Sequence, residues 1–111
     1  MTTDRFRKMA LALPEVVEQA HMGHPDFRVQ GRIFATLGYP RDGYATVMLT
    51  PYDQDAFVTS HPEAFIPVKG KWGEQGATSV VLGQATAAAV SSALEAAYER
   101  RVAQPSKRRK R

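Results

Sequence analysis

"GHPDFRVQGRIFATL" spans residues 23–37. Phe27, Val29, Ile33, Ala35 and Leu37 fall on odd positions, and Arg28, Gln30 and Arg32 fall between the first of them. A period of two marks strands with one buried face. Gln30-Gly31 has the composition of a tight turn, because glycine tolerates positive φ. The stretch therefore predicts a hairpin. Parity predicts that Arg28 and Arg32 project to solvent together across that hairpin, opposite Phe27 and Val29.

Reading outward, "YPRDG" at residues 39–43 supplies a second reversal through Pro40 and Asp42-Gly43. "YATVMLT" then reads as the next strand, so residues 15–50 form an antiparallel meander of about four strands. Upstream, Phe6, Met9, Ala10 and Leu13 recur at i, i+3, i+4 and i+7, one face of an amphipathic helix. Thr3 or Asp4 is its expected N-cap and Pro14 its stop. Downstream, "TPYDQDAFVTSHP" predicts a second helix, with Thr50 capping, Pro51 in the first turn and Pro62 closing. Strands are expected over residues 65–68 and 78–82, joined by a flexible loop through Gly70, Gly73 and Gly76. A last helix over residues 86–103 presents Val90, Ala93, Leu94, Ala97, Tyr98 and Val102 on one stripe.

The order is helix, meander, helix, hairpin, helix. It predicts an α+β two-layer sandwich, an antiparallel sheet with the helices on one face. At 111 residues the chain has room for one domain with one core. Residues 1–104 are that domain, and residues 105–111 are expected to be a disordered basic tail. Cysteine is absent, which excludes disulfides and thiolate metal sites and fits a reducing cytoplasm. No secretory leader and no membrane-length apolar run is visible.

The charge balance misleads when taken whole. Fifteen cations against 11 acids give a net charge of +4. Lys107, Arg108, Arg109, Lys110 and Arg111 supply five of those cations, so the rest of the chain holds ten cations against 11 acids. The basic character belongs largely to the tail.

The chain resembles the MmcQ/YjbR family of small bacterial proteins. The resemblance is carried by "ALALPEV" with Leu11, Leu13 and Pro14, and by Gly23, Pro25, Phe27, Val29, Gly31 and Phe34 in the meander. "HPEAFIPV", "KWGEQGATSVVL" and "LEAAY" carry it further, and it covers residues 3–103. It implies a CyaY-like (frataxin-type) fold. It also implies DNA binding, because the strand arrangement is similar to a double-wing domain of a phage transcription factor. The basic tail lies outside the family pattern.

Few residues suggest chemistry. His21, His24 and Asp26 have metal-ligand types, but they sit in a turn without a third histidine nearby. The first helix carries Asp4, Arg5, Arg7 and Lys8, not the acidic ridge an iron role would need. Glu15 and Glu18 read as a polar face. No nucleophile elbow, P-loop or dinucleotide fingerprint is present. No catalytic residue, metal or cofactor is therefore expected. For DNA, Arg28, Arg32, Arg41, Lys69 and Lys71 would form one basic stripe touching phosphates, with the tail adding affinity. Trp72, flanked by Lys69 and Lys71, would either stack on a base or cover the open edge of the core. The alternative is a protein-interaction or small-ligand module, with a protein partner or a second copy of the chain as its partner. It would use an uncovered apolar sheet face or a concave pocket around Phe34, Tyr39, Tyr44 and Met48.

Overall fold

The computed structural model describes residues 1–103. Helix α1 (Thr3–Leu11) precedes strands β1 (Val17–His21), β2 (His24–Val29), β3 (Arg32–Leu37) and β4 (Tyr44–Met48). Helix α2 (Pro51–Ser60), strand β5 (Phe65–Pro67), short helix α3 (Lys71–Glu74), strand β6 (Ala77–Val81) and helix α4 (Ala87–Ala103) complete the order. The six strands form one antiparallel sheet in the order β1-β2-β3-β4-β6-β5. Among the described residues no helix is long and apolar enough to cross a membrane.

Local chemistry accounts for the helix ends. Thr2, not Thr3 or Asp4, caps α1: its Oγ1 accepts from the Arg5 backbone N–H at 3.1 Å. Thr50 caps α2 in the same way, accepting from Asp53, and Thr86 caps α4 through Ala89. Each satisfies a first-turn donor that the helix leaves unpaired.

One large core lies between the sheet and helices α1, α2 and α4. Phe6 and Ala10 of α1 meet Phe27 and Val29 of β2 there, with Ala45 and Val47 of β4, Phe65, Val80 and the Ala93–Leu94–Ala97 stripe of α4. Phe57 of α2 stacks on Phe65 with ring centroids 5.2 Å apart. These contacts bury the period-two face of the strands and the 3.6-period stripe of each helix against one another.

The β2–β3 hairpin departs from simple parity. Gln30 and Gly31 both have positive φ, the mark of a two-residue type I′ turn. Such a turn pairs Val29 with Arg32 and Arg28 with Ile33. Cross-strand partners share a face. Arg28 and Arg32 therefore lie on opposite faces of the sheet, contrary to the expectation from alternation. Arg32 takes the helix side, where its charge acts on Arg101 of α4. The register then shifts between Phe27 and Arg28, leaving Phe34 as the extra residue of a bulge. The bulge restores Ala35 and Leu37 to the core face and adds Phe34 to it. Phe34 is fully buried and meets Tyr98 of α4 edge-on at 5.8 Å. It is part of the core, not of an uncovered face.

Candidate functional site

The face away from α1 and α4 carries a row of residues in direct register across all six strands: Gln19, Asp26, Thr36, Thr46, Ser79 and Ile66. Four of them, Asp26, Thr36, Thr46 and Ser79, are polar and buried. Among the described residues the buried apolar cluster on this face is Met48, Val68 and Ala77, with Ile33 against them. A buried polar row must find partners or leave orphan groups.

Asp26 finds them. Arg28 donates from Nε to Oδ1 at 2.8 Å and from Nη2 to Oδ2 at 3.1 Å. His21 Nδ1 lies 2.7 Å from Oδ2. The Arg28 guanidinium, followed by His21, holds the Asp26 carboxyl below its ordinary value, against the opposing effect of burial. Asp26 raises the Arg28 guanidinium in return. Arg28 is thus committed to an internal pair on the strand that bears it.

Thr36 does not find one. It is buried, and its Oγ1 has no hydrogen-bond partner among the described residues. An orphan hydroxyl of this kind costs about 1–3 kcal/mol.

Thr36 lines a cavity of about 240 Å³, together with His21, Met22, His24, Tyr39 and Trp72. Three elements of the sequence assemble it. The β1–β2 hairpin turns through Met22 and Gly23, both at positive φ, which pairs His21 with His24 on this face. The loop after β3 brings Tyr39 over the sheet, where Thr46 Oγ1 donates to the Tyr39 carbonyl at 3.5 Å. The "GKWGEQG" stretch brings Trp72.

That stretch is ordered structure rather than a flexible loop. Lys71–Glu74 forms α3. A Cβ at Gly73 would collide with the Val68 carbonyl, and one at Gly76 with the Leu49 carbonyl. Gln54 of α2 donates from Nε2 to the carbonyls of Gly73 and Ala77 at 2.9 and 3.0 Å. The glycines are therefore sites of close backbone approach, and the result is a fixed perch for Trp72.

Trp72 meets Tyr39 at 5.7 Å between ring centroids and 64° between planes. His24 meets Tyr39 edge-on at 6.3 Å. Trp72 and Tyr39 each remain 39% exposed, so these rings contact one another and still present surface to the cavity. Trp72 is accordingly not part of the buried core.

The cations expected in one stripe are dispersed. Arg28 is paired with Asp26, and Arg32 lies on the helix side. Arg41 is exposed, its guanidinium 5.1 Å from the centroid of the Tyr44 ring and donating to the Tyr44 hydroxyl. Lys69 and Lys71 are exposed on either side of Gly70, next to Trp72 in the chain. Lys107, Arg108, Arg109, Lys110 and Arg111 lie outside the described residues. His21 and Asp26 are brought together, but no group of three or more metal-ligating side chains exists among the described residues.

Alternation within single strands points to neither Thr36 nor Met22 as a site residue. The signal that would have found them is the pair of two-residue turns, Met22-Gly23 and Gln30-Gly31. Each sets its register and so places His21, His24, Asp26 and Thr36 on one face.

A second cavity, about 220 Å³, lies between α1 and α4 against Met9, Leu13 and Leu94. No orphan polar atom marks it among the described residues.

No curated protein matches the chain. Among solved structures, the crystal structure of Deinococcus radiodurans protein DR2400, a DUF419 domain, is similar over 93% of this chain and 80% of that one. The TM-score is 0.77 at 19% sequence identity, a likeness of fold. The YjbR family model matches residues 11–100, from the end of α1 to the last turns of α4, and the chain belongs to the YjbR family.

Proposed function

We propose that this protein is a non-enzymatic binding module whose ligand site is the cavity on the far face of the sheet. The observation that carries this reading is Thr36. Thr36, whose buried hydroxyl has no partner among the described residues, lines a cavity with Met22, His21, His24 and the partly exposed rings of Tyr39 and Trp72. Binding sites are mostly apolar with a few placed polar groups, and this cavity has that composition. The glycine-held Trp72 and the register-held Thr36 are set by backbone geometry, so the site is formed before a ligand arrives. Trp72 is the single tryptophan of the chain, so its emission reports on the cavity directly. Titration with toluene, a probe for apolar walls alone, is expected to change that emission saturably. An emission that toluene leaves unchanged counts against the reading.

DNA is a second ligand that a specific observation favours. Lys69, Lys71 and Arg41 are exposed, and Lys71 directly precedes Trp72. Three cations of this kind support sequence-tolerant contact with phosphates. The basic stripe of five is reduced to these three, because Arg28 is paired and Arg32 faces the helices. A mobility-shift assay across a salt series tests this, using a chain ending at residue 104 so that the tail contributes nothing. Retained binding that weakens steeply with salt supports it, and no shift at low salt removes it.

A further inference from the structure

We propose that the cavity takes an unstacked nucleobase, with the attached phosphate directed to Lys69 and Lys71. This rests on the reading of the cavity as the ligand site and names the chemistry of the ligand.

Shape comes first. A cavity of about 240 Å³ exceeds the roughly 150 Å³ that accommodates a benzene ring, so it has room for a mono- or bicyclic planar group. Trp72 and Tyr39 meet at 64°, which leaves ring faces uncovered by one another. Each ring remains 39% exposed, and an inserted planar ring would cover the part of that surface that lines the cavity. Stacking of a base on aromatic side chains is tolerant of base identity because every base has a π-face.

Polar groups narrow the class. His21 Nδ1 is engaged by the ionised Asp26 carboxylate, a pure acceptor. This places the proton of a neutral His21 on Nδ1 and leaves Nε2 as an acceptor. Thr36 Oγ1 can donate or accept. His21 and Thr36 thus bring one acceptor and one hydroxyl to the lining beside an aromatic corner, with the Thr36 Oγ1 buried, so that a ligand meets it only as that side chain turns toward the opening. A nucleobase edge carries a ring or carbonyl acceptor next to an amino or ring N–H donor, which matches that pair. A saturated or purely hydrocarbon ring would leave Thr36 an orphan.

Charge narrows it further. Among the described residues no carboxylate lines the cavity, and the nearby Asp26 is neutralised by Arg28. Lys71 directly precedes Trp72 and Lys69 lies two residues before Lys71, both exposed, and these are the cations assigned to the phosphate. The same chemistry is offered by a free nucleotide and by an unpaired base in a nucleic-acid strand.

Trp72 emission separates these cases. The probes are adenosine and cytidine 5′-monophosphates, their nucleosides, ribose 5-phosphate, a short single-stranded oligonucleotide, its duplex, and toluene. Saturable quenching by the nucleotides or by the single strand is expected, with none from ribose 5-phosphate. Thr36→Val, checked for a melting temperature no lower than the parent's, is expected to weaken nucleotide binding about tenfold and leave toluene binding unchanged. K69A/K71A is expected to weaken the nucleotides but not the nucleosides. Quenching by the oligonucleotide alone assigns the strand as the source, and quenching by mononucleotides assigns the free nucleotide. Toluene binding with no response to any base overturns the nucleobase while leaving the cavity as a site. Absence of both overturns the site itself. A duplex that quenches as strongly as the single strand, or a T36V protein that binds nucleotides normally, also overturns the inference.

Discussion

Arg28 and Asp26 stand two residues apart on β2 and face the same way, with two hydrogen bonds of 2.8 and 3.1 Å between them. The carboxylate is buried and the guanidinium is half-buried. This pair turns a residue with the chemistry of a phosphate contact into a support for the wall of the cavity. It also orients His21 through the second side of the same carboxylate.

The pair makes stability depend on acid. The Asp26 carboxyl is held below its ordinary value of 3.8 in the folded chain. The unfolded chain therefore binds a proton first as pH falls. The stability contributed by ionised Asp26 is present above pH about 4 and is lost as pH falls through the lower folded value. Asp26→Asn is expected to lower stability at neutral pH, with the gap to the parent closing below pH about 4. Urea unfolding over a pH series measures this. A gap that is constant with pH counts against it.

The bulge at Phe34 sets which side chain enters the core. Phe34→Ala is expected to cost about 3–5 kcal/mol, the range for a buried aromatic. Ile33→Ala, on the opposite face and half-buried, is expected to cost less than half as much. Parallel denaturation of the two variants decides it. Equal losses would mean that the faces are wrongly assigned.

Gly73 holds the perch of Trp72. Gly73→Ala forces α3 away from the Val68 carbonyl and is expected to cost about 2 kcal/mol or more. Trp72 emission is expected to shift to the red as the ring leaves Tyr39. An unchanged spectrum and melting temperature would show that the stretch yields easily.

For the DNA reading, each of Arg41→Ala, Lys69→Ala and Lys71→Ala is expected to reduce the salt slope of binding by roughly one. Arg32→Ala, on the helix side of the sheet, is expected to leave it unchanged. An effect of Arg32 equal to the others would restore the single basic stripe.

Much of this fold is legible in the chain because local rules agree. Thr50-Pro51 and Pro62 bracket α2, the stripe from Val90 to Ala97 marks α4, and Asp42-Gly43 marks a reversal. The order of elements along the chain and the helix layer follow from them, whereas the insertion of β6 between β4 and β5 does not. The site is less legible, because face assignment crosses turns. Period-two counting holds within a strand, whereas a two-residue turn reverses it, which is why Arg28 and Arg32 separate. Phe34 reverses it again through a bulge that no residue type in β3 announces. The glycines of "GKWGEQG" are equally ambiguous. Freedom and close approach select the same residue, and only the positions of Val68 and Leu49 distinguish the two.

The central claim is that the cavity beneath Trp72 and Tyr39 is where this protein binds its ligand. Backbone and indole N–H shifts measured by NMR during addition of toluene test it most directly. Changes concentrated at Thr36, Tyr39, His24 and the Trp72 indole N–H are predicted. Changes centred instead on Met9, Leu13 and Leu94 between α1 and α4, or none at all, would contradict the account.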